Sequence, residues 1–155
     1  MERIENTAAF MEKCRILLSQ GESVTLPVQG DSMAPFLVHQ RDAVTVSKPT
    51  GKRKVGDIVL YQRASGAYIL HRICAVRGDS YTLIGDAHTV REHGIRQEQI
   101  FGIVTEISRK GSAERPGTFW WEFFSRIWVR IIPLRPTAVR IYSAWMKCSG
   151  RRKGL

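Results

Sequence analysis

The chain has little of what would make it a disulfide-built, metal-built or membrane-spanning protein. Its three cysteines (Cys14, Cys74, Cys148) are odd in number and widely spaced over 155 residues. No CxxC pair or Cys/His ligand spacing is present, so neither a disulfide framework nor a zinc centre is expected, and a reducing compartment is the plain reading. Its four histidines supply no metal motif: His88 and His93 are five apart, not at the i, i+4 spacing of a helical zinc site. No metal or other cofactor is expected. Residues 1–19 are interrupted by Glu2, Arg3, Glu5, Glu12, Lys13 and Arg15, which leaves no apolar core for a secretory signal. No uncharged apolar run reaches the roughly 18 residues of an ordinary membrane span. Internal repeats and low-complexity segments are missing too.

Acidic residues are scarce at one end only. Residues 1–105 hold 13 Lys/Arg against 11 Asp/Glu, whereas 106–155 hold 11 against 3, so most of the net +10 belongs to the C-terminal part. Such asymmetry points to an anionic partner, a membrane surface or a nucleic acid.

The length suits one domain with an appendage. Residues 7–20 have helical periodicity: Ala8, Met11, Cys14 or Arg15, and Leu18 recur on one face, Thr7 can cap the start, and Gly21 stops it. Strands are expected at Ser23–Val28, Ala43–Ser47, Asp57–Gln62, Tyr68–Val76, Tyr81–Ile84 and Ile100–Ser108, with a long loop over Asp86–Gln97. Short strands separated by turn signals argue a mainly β, compact antiparallel domain over 1–110. Residues 111–117 (Gly-Ser-Ala-Glu-Arg-Pro-Gly) read as a linker.

Residues 118–155 then read as a basic, tryptophan-rich tail of two amphipathic helices. Trp120, Phe123, Phe124, Ile127 and Ile131 share a helical face, with Glu122, Arg126 and Arg130 on another. Pro133 and Pro136 force a break, and Pro136 suits the first turn of a second helix carrying Val139, Tyr142 and Met146 on one face, with Ile141 and Trp145 beside it. Helices of this composition suit a membrane interface; packing against the β domain is the plainer alternative. Aromatic and basic side chains can also stack nucleic-acid bases, but no recognised nucleic-acid module is visible, so nucleic acid is not the expected partner.

The remaining stretch is Gly30-Asp31-Ser32-Met33-Ala34-Pro35-Phe36-Leu37, a serine on a short, stiffened loop between strands. Met33 and Phe36 can pin the loop to a core, and Pro35 fixes φ three residues after the serine. On its own this is compatible with an ordinary turn. Three further stretches come after it: Val55-Gly56-Asp57-Ile58-Val59-Leu60, Tyr68-Ile69-Leu70-His71-Arg72-Ile73, and Gly85-Asp86-Ala87-His88. Together, and in this order, they resemble the boxes of type I signal peptidases, whose relatives include the self-cleaving LexA-type repressors. The resemblance covers about residues 20–108. Histidine where most bacterial members have lysine places it nearer the endoplasmic-reticulum and archaeal subtype.

The resemblance implies a signal peptidase/LexA-type β fold and a serine endopeptidase, with Ser32 as nucleophile and His71 as base. A serine hydroxyl needs such a base, and an unperturbed imidazole titrates near pH ~6.5. For the third group, Glu92 stands at the triad-acid position with one extra methylene, and Asp86 is the alternative; a simple Ser32/His71 dyad stays open. The Ser32 backbone N–H is the implied oxyanion donor, while Gly30 stands where many bacterial members add a serine hydroxyl. Met33 and Pro35 are the implied substrate contacts. The expected partners are a peptide or precursor-protein substrate and an anionic membrane surface, and the expected place is membrane-peripheral, on the cytoplasmic side. A silent or regulatory peptide-binding module with the same fold is the second reading. A self-cleaving regulator ranks third, because no helix-turn-helix precedes the β domain.

Overall fold

Alternation of apolar side chains builds an eight-stranded antiparallel sheet: β1 (Val24–Pro27), β2 (Asp42–Ser47), β3 (Ile58–Gln62), β4 (Tyr68–Arg77), β5 (Ser80–Ile84), β6 (Glu92–Arg96), β7 (Ile100–Arg109) and β8 (Ser112–Glu114). The strands run in the order β1-β2-β7-β3-β4-β5-β6, with β8 added to β7. A helix, α1 (Glu2–Ser19), precedes them, and after them come α2 (Phe119–Glu122), a π-helical turn (Phe123–Trp128) and α3 (Arg135–Arg151). The computed structural model describes the backbone of residues 2–151 and the side chains of 7–138, 140–142, 144 and 145. This is the mainly β architecture expected from the sequence.

β3 is apolar on both faces because it lies in the middle of the sheet with a core on each side. Ile58 and Leu60 point into one cluster with Met11, Cys14 and Leu18 of α1. Val59 and Tyr61 point into a second, with Ile73, Tyr81, Leu83, Ile95 and Ile100. In β4, Val59 pairs with His71 and Ile58 with Arg72. His71 is therefore on the face of the second cluster, and Arg72 is on the opposite one.

Several expectations are corrected. α1 starts at Glu2, so Thr7 is inside the helix and not its cap; Met11, Cys14 and Leu18 are the residues that it buries, while Ala8 is exposed. β6 occupies part of the expected Asp86–Gln97 loop, where Glu-His-Gly-Ile-Arg has a single buried apolar side chain, Ile95, and pairs mainly through its backbone. β8 occupies part of the expected linker. Lys110 (φ 47°) and Gly111 (φ 83°) both take positive φ, as a two-residue hairpin turn requires.

The first C-terminal helix buries a different set of side chains from the expected stripe. Trp121, Phe124 and Trp128 enter the α1-side core, with Phe123 and Ile131 packed partly against it, whereas Trp120 and Ile127 are exposed. Trp121, Phe124 and Trp128 stand at i, i+3 and i+7, so the buried face keeps helical spacing and lies beside the expected stripe rather than on it. α3 begins at Arg135 with Pro136 in its first turn. Of its expected stripe, Val139 and Met146 lie outside the described side chains, as do Lys147 and Cys148; Ile141 and Trp145 are exposed.

Candidate active site

The serine loop is held by its flanks. Met33, Phe36 and Leu37 are buried at 2%, 1% and 0% exposure, so the three apolar residues after Ser32 turn inward and leave the serine at the rim. The Phe36 ring stacks on Phe124 at 4.6 Å and meets the edge of Trp121 at 6.2 Å. From below, the buried carboxylate of Asp42 accepts the Val38 N–H at 2.9 Å, and Arg109 donates to the Phe36 carbonyl and to Asp42. The loop is thus fastened both to β7 and to the C-terminal segment.

The β4–β5 register brings the histidine to the serine. Arg72 pairs with Ile84, so the next position brings Gly85 beside His71. A Cβ on Gly85 would fall 2.5 Å from the Ser32 carbonyl oxygen, 3.1 Å from His71 Nε2 and 3.0 Å from His88 Nδ1. Only glycine lets these three groups converge. The Ala87 N–H donates to the Ser32 carbonyl at 2.9 Å, which locks the serine loop to the turn after β5. Ser32 and His71 line one cleft of about 260 Å³, together with Arg63, Tyr68, Leu70 and His88. The Ser32 hydroxyl has no hydrogen-bond partner among the described residues; hydrogen bonds of this kind often tighten only when substrate binds.

The two faces of the imidazole have separate surroundings. Nε2 is on the Gly85 and Ser32 side, and Nδ1 is 3.4 Å from both Glu92 Oε1 and the Tyr61 hydroxyl. Burial pushes the His71 imidazole down to about 4, opposed by the Glu92 carboxylate and reinforced by charge on His88 and Arg63. The ring is therefore neutral at physiological pH, able to accept a proton at one nitrogen while presenting the other to the carboxylate. Glu92 is held by Arg63, which donates Nε to Oε2 at 2.8 Å and Nη2 to Oε1. Those hydrogen bonds keep its carboxyl below the usual range.

The other acid candidate has a different setting. Asp86 is fully buried and accepts Arg72 Nε at 2.9 Å and Nη2 at 2.7 Å, while Arg72 Nη1 donates to the Gly56 carbonyl at 2.9 Å. Its carboxylate ties the turn after β5 to the start of β3, on the face away from the His71 ring.

At the remaining positions, the Ser32 N–H donates to no acceptor among the described residues. Gly30 gives its N–H to His39 Nδ1 at 3.1 Å and, with φ 76°, has no side chain to offer as a second donor. Met33 lines the cleft with one edge while its bulk is in the core. Pro35, implied as a substrate contact, does not line the cleft; the inward turn towards Phe36 carries it past the rim.

Four contributors lie outside the sequence expectations. Tyr61 and Arg63 approach through β3 and the turn after it, and His88 stands edge-on to His71 with ring centroids 5.9 Å apart. The fourth is Arg135, fully buried, donating to the carbonyls of Gly85 at 2.9 Å, His88 at 3.2 Å and Trp128 at 3.0 Å. Trp128 Nε1 donates to the Asp86 carbonyl at 2.9 Å. The C-terminal segment thus holds three carbonyls of the turn between Gly85 and His88. Only the histidine carries a signal in the sequence, by its place in the Gly-Asp box; the others are brought in by tertiary contact.

Among the described residues no three His, Cys, Asp or Glu side chains are grouped to hold a metal ion. No curated protein matches the chain. A family model described as Peptidase S24-like matches residues 1–105, from α1 into β7. That span covers about two thirds of the sequence and includes the Ser32 loop, His71, Gly85 and Glu92, and the chain accordingly belongs to the Peptidase S24-like family, peptidases of the signal peptidase/LexA type.

Proposed function

We propose that the chain is a serine endopeptidase of the histidine-base subtype, cleaving a leader or signal-like peptide at a membrane surface. Ser32 attacks the scissile carbonyl, His71 Nε2 takes its proton and returns it to the leaving amine, and Glu92 orients the ring through Nδ1. The Ser32 N–H stabilises the oxyanion. The observation that carries this reading is the position of the His71 ring, with Nε2 beside Gly85 and Ser32 and Nδ1 at 3.4 Å from Glu92. β1 is an edge strand leading towards Ser32, and an extended substrate can lie along it. Support for the membrane surface comes from the exposed Phe119, Trp120, Ile127, Leu134, Ile141 and Trp145, accompanied by exposed Arg126, Arg130 and Arg140. Among the described residues no helix is long and apolar enough to cross a membrane.

The test is labelling of purified protein by a serine-directed acylating probe, with Ser32→Ala and His71→Ala as comparisons. Labelling at Ser32 that requires His71 is the expected result. Unlabelled wild-type protein, folded and supplied with anionic vesicles, would overturn the enzyme reading in favour of a peptide-binding module. One observation favours that second reading: both Glu92 oxygens are already engaged by Arg63.

A further inference from the structure

On the far side of β4, β5 and β6 lies a second cavity, of about 540 Å³, closed by the turn around Val129–Ile132. Arg77 of β4, Arg91, His93 of β6 and Arg130 line it, and no aspartate or glutamate does. Glu92, between Arg91 and His93, is engaged by Arg63 at the Ser32 cleft. His93 uses Nδ1 on the Thr82 hydroxyl at 3.3 Å.

Pairing of arginine with a carboxylate is frequent in this chain but not universal, since Arg15, Arg53, Arg96 and Arg140 form no ion pair among the described residues. Arg41, Arg63, Arg72, Arg109, Arg115 and Arg126 each pair with a carboxylate. Arg77, Arg91 and Arg130 pair with none among the described residues; Arg130 only donates Nη1 to the Arg126 carbonyl at 3.0 Å. All three arginines are exposed, so water screens much of their mutual repulsion; what marks the cavity is their convergence with no carboxylate among its lining residues. Guanidinium forks match the oxygens of a phosphate, and charge-assisted bonds to it are about twice as strong as neutral ones. The volume is that of a small-ligand site.

We propose that this cavity is a binding site for a phosphate-bearing anion, either free or presented as a lipid headgroup. Arg130 lies one turn beyond the exposed Ile127, so a headgroup in the cavity would place that side chain at the lipid boundary. The site is separate from the Ser32 cleft and does not depend on its chemistry.

The full chain would be titrated with inorganic phosphate by calorimetry and with vesicles of phosphatidylcholine, with or without phosphatidylglycerol, by co-sedimentation. Arg91→Gln/Arg130→Gln is compared with Lys52→Gln/Lys110→Gln, a pair that removes the same charge from exposed positions outside the cavity and outside the C-terminal helices. Thermal unfolding checks the fold, and Arg77→Gln/Arg91→Gln gives the same reading if the first pair is unstable. Saturable phosphate binding that weakens at least about tenfold in the cavity pair, and is unchanged in the other, supports a free anion. The same dependence with phosphatidylglycerol vesicles alone supports a headgroup. Binding of neither probe, or equal weakening by the two pairs, overturns the proposal.

Discussion

His71 Nδ1 lies 3.4 Å from Glu92 Oε1, and that carboxylate is itself held by Arg63. The carboxylate is thus fixed in place beside the ring, and in the proposed triad the contact is long enough that its contribution would depend on Arg63 keeping it there. Removing the charge while preserving shape tests this. Glu92→Gln is expected to slow acylation of Ser32 by about 10–100-fold, less than the roughly 10²–10⁴-fold of a direct proton-transfer group, with little loss of stability. Labelling stopped at timed intervals gives the rate, and an unchanged rate would leave a Ser32/His71 dyad.

Asp86→Asn separates the two acids. Its carboxylate neutralises Arg72 at 0% exposure, and removing one partner of such a pair costs about 3–5 kcal/mol. A large drop in the thermal midpoint is expected, with acylation lost only in proportion to unfolding. A folded Asp86→Asn protein that labels far more slowly than Glu92→Gln would reverse the roles of the two residues.

The contrast between these acids shows what can be read along the chain. Ser32 and His71 are marked by the resemblance of their boxes, taken in order along the chain, to those of signal peptidases; local pattern alone reads the serine stretch as an ordinary turn. Glu92 against Asp86 is a narrow choice in the sequence, because both are acidic and six residues apart in a stretch without apolar rhythm. What separates them is which arginine each meets, Arg63 across the cleft or Arg72 on the opposite face of β4, and that is set by register. β6 and β8 are hard to read for a related reason: they pair through backbone and bury little. The buried aromatics depart from the expected stripe because two adjacent helical faces are both apolar there, and the one turned inward is the one that meets Phe36 through Trp121 and Phe124. Arg135 carries no local signal for the site, since the site carbonyls it holds are 47 and 50 residues away and its nearer partner is the Trp128 carbonyl.

Gly85 is the position where the least change should do the most. A methyl group there would be 2.5 Å from the Ser32 carbonyl, a backbone atom that cannot move without moving the loop. Gly85→Ala should abolish labelling. Gly30→Ala is the comparison: nothing lies within 4 Å of its added Cβ, although φ of +76° adds strain, about 1–2 kcal/mol. It should keep most of the labelling at a lowered midpoint. Normal labelling by Gly85→Ala would mean that the loop and the histidine do not meet as described.

The buried imidazole also fixes a pH dependence. Acylation needs His71 neutral, and burial holds it at about 4 instead of the ordinary 6.5. Between these values the folded protein resists a proton that the unfolded chain accepts. The rate should therefore stay level as pH falls from 7 and decline only through about 4. Stability moves differently: it is fully present above about 6.5 and is lost as pH falls towards about 4, by on the order of 3 kcal/mol from this group. Rate and unfolding profiles measured together check both signs. A rate already halved near pH ~6.5 would indicate a solvated base.

The family match ends at residue 105, yet the site leans on the C-terminal segment beyond it. Trp121 and Phe124 pack on Phe36 behind the serine loop, and Trp128 and Arg135 hold the turn between Gly85 and His88. Val129 and Ile132 are buried as well. Each large apolar side chain contributes about 1.5–3 kcal/mol on burial, so five of them rival the about 5–15 kcal/mol by which a whole domain is stable. A chain ending at residue 117 should lack a cooperative thermal transition, and should not label. Arg135→Ala is the milder version: it removes the donor to the His88 carbonyl and leaves the Gly85 carbonyl only the His88 N–H, and labelling should fall more than the midpoint does, because those carbonyls belong to the turn that faces His71. A truncated chain that melts cooperatively near the full-length midpoint would mean that the C-terminal aromatics cover a β domain already complete without them.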